Sequence, residues 1–425
     1  MEQTIEAVAK IAQDEIDKEA ASDKSIRKAI DIVKRFIQTN RVICYGGTAI
    51  NNLLPKEDQF YDFSMDVPDY DFFSENPQIH AMNLADQLVQ AGYKSVEVKP
   101  GVHLGTFKVF CDYTGVADIS HLDKPIFAKL FKDAIKKNKV YYAPPNFLRM
   151  AMYLELSRPK GDVSRWTKVY NRLTLLNKHH PMTCPAKFKK LTDVHLLPEV
   201  KSKLEKLLIV EDVILLGFNG YMLQKSVFTK EWMFPLDLLA VPEKRKEVVD
   251  KIVSSFETKV KTKDYEAYGE LFPAHTDILD AKNGKLLVRV YETVACHSYH
   301  KASNGLMIAS IPTLLQFFLS TLYADKRFLQ DMPEQRFICT AQQLVEMANE
   351  NIKRRYKLLT PITCLGKQKG LLDMRIAKSE LYEKLSQNKS SPEFLEYFFT
   401  YIPTSMGQTR RRAMRELLNK TLKRH

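Results

Sequence analysis

Arg41-Val42-Ile43-Cys44-Tyr45-Gly46-Gly47-Thr48-Ala49-Ile50 and Val67-Pro68-Asp69-Tyr70-Asp71-Phe72-Phe73-Ser74 are the two stretches whose reading decides the fold. The first is a short apolar strand closed by two glycines. They open a helix whose core face carries Ile50, Leu53 and Leu54. A helix start leaves backbone N–H groups without intrahelical partners, and these can hold a triphosphate. A polar loop, 55–66, leads to the second stretch, whose Asp69 falls 23 residues after Gly46. Residues i and i+2 of a strand point to one face, so Asp69 and Asp71 can share one metal cluster.

Working outward, Ile26, Ala29, Ile30, Val33, Phe36 and Ile37 mark one face of a helix that ends before Asn40. Downstream, the spacing predicts a helix from about Pro77 to Gln90, ended by Gly92, and strands at 95–99, 104–111 and 116–120. Helices follow near 125–137, 145–157 and 162–178. This order describes an α+β unit, a small mixed sheet flanked by helices. A third carboxylate belongs at the end of a neighbouring apolar strand, and Val116-Ala117-Asp118-Ile119-Ser120 supplies one. An Asp inside such a strand is costly unless paired or metal-bound. Asp112 is the alternative, but it stands where the chain turns through Tyr113-Thr114-Gly115, and turn capping explains it without metal.

Hard divalent cations such as Mg²⁺ favour carboxylate oxygens, and phosphates complete their coordination. Three carboxylates beside a glycine turn therefore point to two-metal transfer of a nucleotidyl group from a nucleoside triphosphate. Gly46-Gly47 lacks the Lys of a P-loop, which argues against ATP hydrolysis by that route. His179-His180 beside Pro181 reads as a solvated loop pair. On the helix at 162–178, Arg165, Lys168 and Arg172 recur at i, i+3 and i+7, a basic stripe suited to phosphate or to solvent.

The second half repeats the first. Val213-Ile214-Leu215-Leu216-Gly217 answers Val42 to Gly46, and Phe234-Pro235-Leu236-Asp237-Leu238-Leu239 answers the stretch around Asp69 and Asp71. Leu287 to Tyr291 and Val294 to His297 answer the strands at 109–113 and 116–119, and Pro312-Thr313 answers Pro145-Asn146. So long a period indicates duplicated domains rather than a solenoid. On this alignment Pro235 stands in place of Asp69, Phe218 in place of Gly47 and Cys296 in place of Asp118. Asp237 alone cannot assemble a two-metal site, so the copy at 208–330 is expected to be degenerate.

Composition bounds the rest. The chain has 425 residues, 45% hydrophobic and 27% charged, enough for two or three domains with ample core. A formal charge of +13 is compatible with a polyanionic partner. The basic excess gathers at the C-terminus, in Arg410, Arg411, Arg412, Arg415, Lys420, Lys423 and Arg424, which suits RNA phosphates or a solvated terminal helix. No apolar run approaches the roughly 20 residues of a membrane span. The N-terminus lacks a signal-peptide pattern. Six cysteines without Cys-x-x-Cys argue against a disulfide scaffold and suggest a reducing compartment.

Tyr45-Gly46-Gly47-Thr48-Ala49-Ile50, Asp69-Tyr70-Asp71-Phe72-Phe73-Ser74 and Ala117-Asp118-Ile119-Ser120 resemble the catalytic core of poly(A) polymerases from large cytoplasmic DNA viruses. That group comprises the poxvirus catalytic subunit and its giant-virus and asfarvirus relatives, in the polymerase-β-like nucleotidyltransferase superfamily. Ser157-Arg158-Pro159 and Arg165-Trp166-x-Lys168 resemble the segment that follows the core. The resemblance implies addition of AMP from ATP to an RNA 3′ end with two Mg²⁺ or Mn²⁺ ions. Gly46, Gly47 and Thr48 would hold the triphosphate, and Asp69, Asp71 and Asp118 the metals. Lys168 and Arg172 are added here as phosphate contacts. It leaves open whether the chain self-associates or uses a processivity subunit, and it implies the cytoplasm of an infected cell, with the virion as a second location. Another acceptor, or an RNA-binding subunit with a vestigial site, is the competing reading. The expected domains are a helical segment at 1–40, a catalytic unit at 41–180, a connector at 181–207, the degenerate copy at 208–330 and a helical C-terminal region at 331–425.

Overall fold

Two sheets organise the chain, each in its own unit: Met1–Pro144 with Leu371–His425, and Pro145–Gly370. The computed structural model describes all residues except 1, 63, 65, 68–69, 185–197, 226–231, 331, 350–355, 406–413, 417 and 419–425. Most of the C-terminal basic cluster and part of the connector therefore lie outside the described residues.

The first unit runs α1 (Glu2–Ser22), α2 (Lys24–Thr39), β1 (Ile43–Cys44), α3 (Gly46–Leu53), β2 (Tyr70–Ser74) and α4 (Pro77–Gln90). It continues with β3 (Val96–Pro100), β4 (Thr106–Cys111), β5 (Thr114–His121), α5 (Lys124–Asp133), β6 (Ile135–Lys137) and β7 (Val140–Tyr142). The strand order is β3-β4-β5-β2-β1-β7-β6, with β2 parallel to β5 and β1 parallel to β7, the other neighbours being antiparallel. Asp23 caps α2 by accepting from the N–H groups of Ser25 and Ile26, at 2.6 and 3.2 Å. The α2 face Ala29, Ile30, Val33, Phe36 and Ile37 is buried, as its spacing predicts. Strand alternation then sorts the sheet. Phe72, Phe107 and Ile119 are fully buried, whereas Asp71, Lys108 and Asp118 on the opposite face are partly exposed.

One element departs from expectation. The helix predicted at 125–137 stops at Asp133, and 135–142 form a hairpin. Its turn residues Asn138 and Lys139 both take positive φ, 51° and 65°, the geometry of a tight two-residue turn. The lysines around Asn138 hide that turn in the sequence.

The second unit runs α6 (Pro145–Leu156), α7 (Trp166–His179), α8 (Pro198–Val210), β8 (Ile214–Leu215), α9 (Gly217–Gln224), β9 (Leu236–Ala240) and α10 (Pro242–Ser254). Then come β10 (Val260–Tyr265), β11 (His275–Asp280), β12 (Leu286–Glu292), β13 (His297–Lys301), β14 (Met307–Ala309), α11 (Ile311–Thr321), α12 (Glu334–Ala348) and β15 (Cys364–Leu365). Its strand order, β10-β11-β12-β9-β8-β14-β13-β15, reproduces the first sheet strand for strand and adds β15. The orientations match too: β9 is parallel to β12 and β8 to β14. The duplication read from sequence is thus present in the topology.

Its internal alignment needs one correction. Arg289 is the Cα partner of Asp237, as Asp118 is of Asp71, so Arg289 and not Cys296 stands in place of Asp118. Leu287 to Tyr291 correspond to β5, not β4, because β12 pairs with β9 as β5 pairs with β2. Apolar strands of equal length resemble one another, and a match on hydrophobicity slips by a whole strand without penalty.

The chain closes with α13 (Leu371–Leu385) and α14 (Pro392–Phe398), which return to the first unit. Val98 and Tyr401 exchange backbone hydrogen bonds at 2.8 and 3.1 Å. The Tyr401 hydroxyl donates to Asp86 at 2.6 Å, and Arg415 pairs with the same carboxylate at 2.7 Å. The expected region 331–425 therefore divides at Leu371. The expected catalytic span of 41–180 likewise divides at Pro144, because α6 packs on α11: the Ser320 hydroxyl donates to Met150 Sδ at 3.1 Å, and Phe147 meets Tyr323 edge-on.

The cysteine reading is also corrected. Cys184 is bonded to Cys339 and Cys296 to Cys364, both within the second unit, while Cys44 and Cys111 are free and buried. The partners lie 155 and 68 residues apart, so local spacing carries no sign of them. Among the described residues no helix is long and apolar enough to cross a membrane.

Candidate active site

The glycine turn is fixed by its neighbours. Gly46 has φ +70°, and a Cβ there would stand 2.8 Å from Asp71 Oδ2, so the residue is demanded by conformation and by space. The Tyr45 N–H donates to the Asp71 carbonyl at 2.9 Å. The Tyr45 ring stacks on Phe73 with centroids 3.8 Å apart, and its hydroxyl shares a hydrogen bond with Ser120 Oγ at 2.9 Å. Ser120 in turn meets Thr106 Oγ1 at 2.9 Å. This chain of contacts sets the direction of α3, whose first residues are Gly46, Gly47 and Thr48. Its first-turn N–H groups and dipole make that end attractive to a phosphate.

Asp71 and Asp118 are brought side by side, as Cα partners on parallel β2 and β5. They share the face opposite to Phe72 and Ile119. Lys108 on β4 is the Cα partner of Asp118 from the other side, and its ammonium forms an ion pair with Asp118 Oδ2. Three charged residues thus stand in a row across three adjacent strands. Asp69, just before β2, lies outside the described residues. Asp112 occupies the β4–β5 turn with φ +46°, exposed, its N–H bonded to the Ser95 carbonyl at 2.8 Å. The buried Cys44 thiol is pushed far up by burial and then by the charge of Asp71, which keeps it neutral and unsuited to nucleophilic work.

Lys168 and Arg172 lie on α7, in the second unit. Their neighbour in the basic stripe, Arg165, meets Glu155 at 3.3 Å. Sequence reasoning missed Lys108. The signal available was its i, i+2 placement with Thr106 and Phe110 on a strand whose other face is apolar, opposite a strand that carries an Asp.

The donor set suits a hard divalent cation. Asp71 and Asp118 offer carboxylate oxygens on one face, and a cation already stands against Asp118 in the form of the Lys108 ammonium. Among the described residues no group of three or more His, Cys, Asp and Glu gathers to hold a metal.

The second unit builds the same turn around different chemistry. Gly217 has φ +58°, a Cβ there would come within 2.5 Å of Asp237 Oδ2, and the Leu216 N–H donates to the Asp237 carbonyl at 2.8 Å. Arg289 beside it is clamped by Asp277 through two hydrogen bonds of 2.6 and 2.7 Å. Gln330 Nε2 donates to Asp237 Oδ1 at 2.9 Å, and Phe328 stacks on Phe272 with centroids 4.1 Å apart. What remains, lined by Gly217, Phe218, Asp237 and Phe328 among others, is a cavity of about 20 Å³. That is room for about one water molecule and none for a nucleotide. Burial, opposed by Arg289, raises the Asp237 carboxyl to about 6.

Residues 31–162 match the family model described as poly(A) polymerase catalytic subunit. A protein of African swine fever virus named as a poly(A) polymerase catalytic subunit is 31% identical over 171 residues, which cover 39% of this chain and 36% of that protein. A protein of Acanthamoeba polyphaga mimivirus with the same description is 27% identical over 177 residues, 41% of this chain and 29% of its own length. The chain thus spans about a third of the length of the relatives it matches. The crystal structure of the Megavirus polyadenylate synthase has the same fold, with a TM-score of 0.79 and 21% identity, covering 99% of this chain and 89% of that one. The resemblance carried by Gly46, Gly47, Asp69, Asp71 and Asp118 falls inside the matched stretch.

Proposed function

We propose that the first unit carries the active site of a template-independent poly(A) polymerase that adds AMP from ATP to the 3′ end of RNA. The observation that carries this reading is the placement of Asp71 beside Asp118, on the face where the Gly46 turn opens α3, within residues that match the poly(A) polymerase family. Asp69, Asp71 and Asp118 are the residues to hold two Mg²⁺ or Mn²⁺ ions. When bound, such ions supply activation of the attacking hydroxyl and neutralisation of the triphosphate. The chain's own part is positioning. The N–H groups at Gly47 and Thr48 donate to phosphate oxygens, and the Tyr45–Ser120–Thr106 contacts keep the turn rigid against Asp71. The RNA 3′-hydroxyl gives up its proton to solvent as its oxygen attacks the α-phosphorus of ATP, the bond from that phosphorus to the oxygen bridging to the β-phosphate breaks, and pyrophosphate leaves with the electron pair.

Lys168 and Arg172 are assigned to phosphate groups of RNA or ATP, and the basic C-terminal cluster to RNA. Self-association or a processivity subunit, and residence in the cytoplasm of an infected cell or in the virion, belong to the same proposal by resemblance. The test is extension of a short 5′-labelled RNA by the purified full chain with Mn²⁺ or Mg²⁺ and each nucleoside triphosphate in turn. The reading expects a ladder with ATP. Incorporation of one nucleotide into tRNA or protein instead, with none into the RNA oligomer, would move the chain to another nucleotidyltransferase class.

A further inference from the structure

We propose that Lys108 is a placeholder cation, which holds Asp118 beside Asp71 in the metal-free protein and gives way when a divalent ion binds. The proposal rests on the reading of Asp71 and Asp118 as metal ligands. Carboxylates on adjacent strands stand only about 5 Å apart, and their repulsion needs a positive charge close by. Lys108 supplies it, directly opposite Asp118 across β4 and β5. The hold is a loose one. Lys108 makes a single-point contact at the end of a flexible stem, and the side chains of the pair are 41% and 27% exposed. So exposed a pair is weak and separates readily into water.

The second unit shows what the same charge pattern looks like when the cation is built in. At the corresponding three points stand Asp237, Arg289 and Asp277, again two carboxylates and one cation in a row. Here the cation takes the central place, that of Asp118, and the outer carboxylate takes the place of Lys108. Arg289 is gripped at two points, the exposures fall to 2% and 6%, and the guanidinium lies 5.1 Å from the Phe328 ring centre. Both units keep one positive charge among two negative ones, but only the first keeps it on a side chain able to leave. Metal entry in the first unit is therefore an exchange, and Lys108 is a positioning residue that lowers the affinity of the nucleotide-free site.

The test is a Mn²⁺ titration of the full chain without nucleotide, read by the electron paramagnetic resonance of free Mn²⁺, alongside melting with and without the ion. Lys108→Met should bind Mn²⁺ on the order of tenfold more tightly than wild type. It should also melt lower without metal and regain more on adding it. Lys108→Arg, which keeps the charge on a side chain able to grip at two points, should bind no more tightly than wild type, and Lys108→Gln is a second neutral variant should Lys108→Met fail to fold. Equal or weaker binding by the neutral variants overturns the placeholder role. A wild type that binds no Mn²⁺, indistinguishable from Asp118→Asn, overturns the underlying assignment of ligands instead.

Discussion

Asp71 with Asp118, and Asp237 with Arg289, occupy the same two points on the same pair of parallel strands, one pair in each unit. Each stands beside a glycine of positive φ that opens a helix and that could bear no Cβ. The backbone is therefore indifferent to which of the two chemistries it carries. The apolar faces of the sheets hold the fold, with Phe72, Phe107 and Ile119 in one and Leu238, Ile278 and Val290 in the other, all at most 1% exposed. The charged side chains stand on the opposite face, and a few of them set the two units apart. In the second unit Arg289 stands where the first has Asp118, and Phe328 and Gln330 help leave a cavity of only about 20 Å³ beside Asp237.

The largest effect should come from spoiling the turn of the first site or giving that site the cation of the second. Gly46→Ala puts a methyl group into the Asp71 carboxylate, and Asp118→Arg replaces a ligand by the residue found at the corresponding point. Each should lower AMP incorporation about a thousandfold or more, equivalent to about 4 kcal/mol of barrier, in single-turnover assays. Retention of a tenth of wild-type activity by Asp118→Arg would break the contrast between the two sites, and the same retention by Gly46→Ala would remove the turn from the account.

Removing the built-in cation tests the other side. Arg289→Met leaves Asp277 and Asp237 buried without their partner and should cost about 3–5 kcal/mol in denaturant unfolding. Incorporation per folded molecule should be unchanged at a permissive temperature. Loss of activity in the folded variant would mean that the second unit contributes to the reaction.

The smallest effect is a pH dependence. Asp237 in the folded chain rises from its ordinary 3.8 to about 6, chiefly through burial. The folded state then holds this proton more tightly than the unfolded state, so its contribution to stability falls as pH rises from about 4 to about 6. Asp237→Asn should remove about 2 kcal/mol of decline between pH 4.5 and pH 7.5, seen by comparing melting at the two pH values. Parallel pH profiles for the two proteins would contradict a charged, buried Asp237.

The placement of Asp71 beside Asp118 at the Gly46 turn was legible because strand alternation and glycine punctuation are local. Gly46, Asp71 and Asp118 each interrupt an apolar run, and an interruption in such a run calls for a reason. The duplication was legible for the same cause, since Gly217 and Asp237 keep their places. What was not legible depended on pairing across the chain. Arg289 passed for an ordinary strand residue until β12 was seen beside β9, and Lys108 until β4 was seen beside β5. The two disulfides join positions that share no local pattern. The return of 371–405 to the first unit rests on Tyr401 adding to the edge strand β3, a contact made over 303 residues from Val98 to Tyr401.

The most direct test of the central claim, that one of two matching sites acts and the other is closed, is a paired assay. Labelled RNA, ATP and Mn²⁺ are incubated with wild type, Asp71→Asn and Asp237→Asn, all checked for folding by circular dichroism. A ladder from wild type and Asp237→Asn, with none from Asp71→Asn, is the predicted result. Extension that survives in Asp71→Asn and disappears in Asp237→Asn would place the chemistry in the second unit and contradict the account.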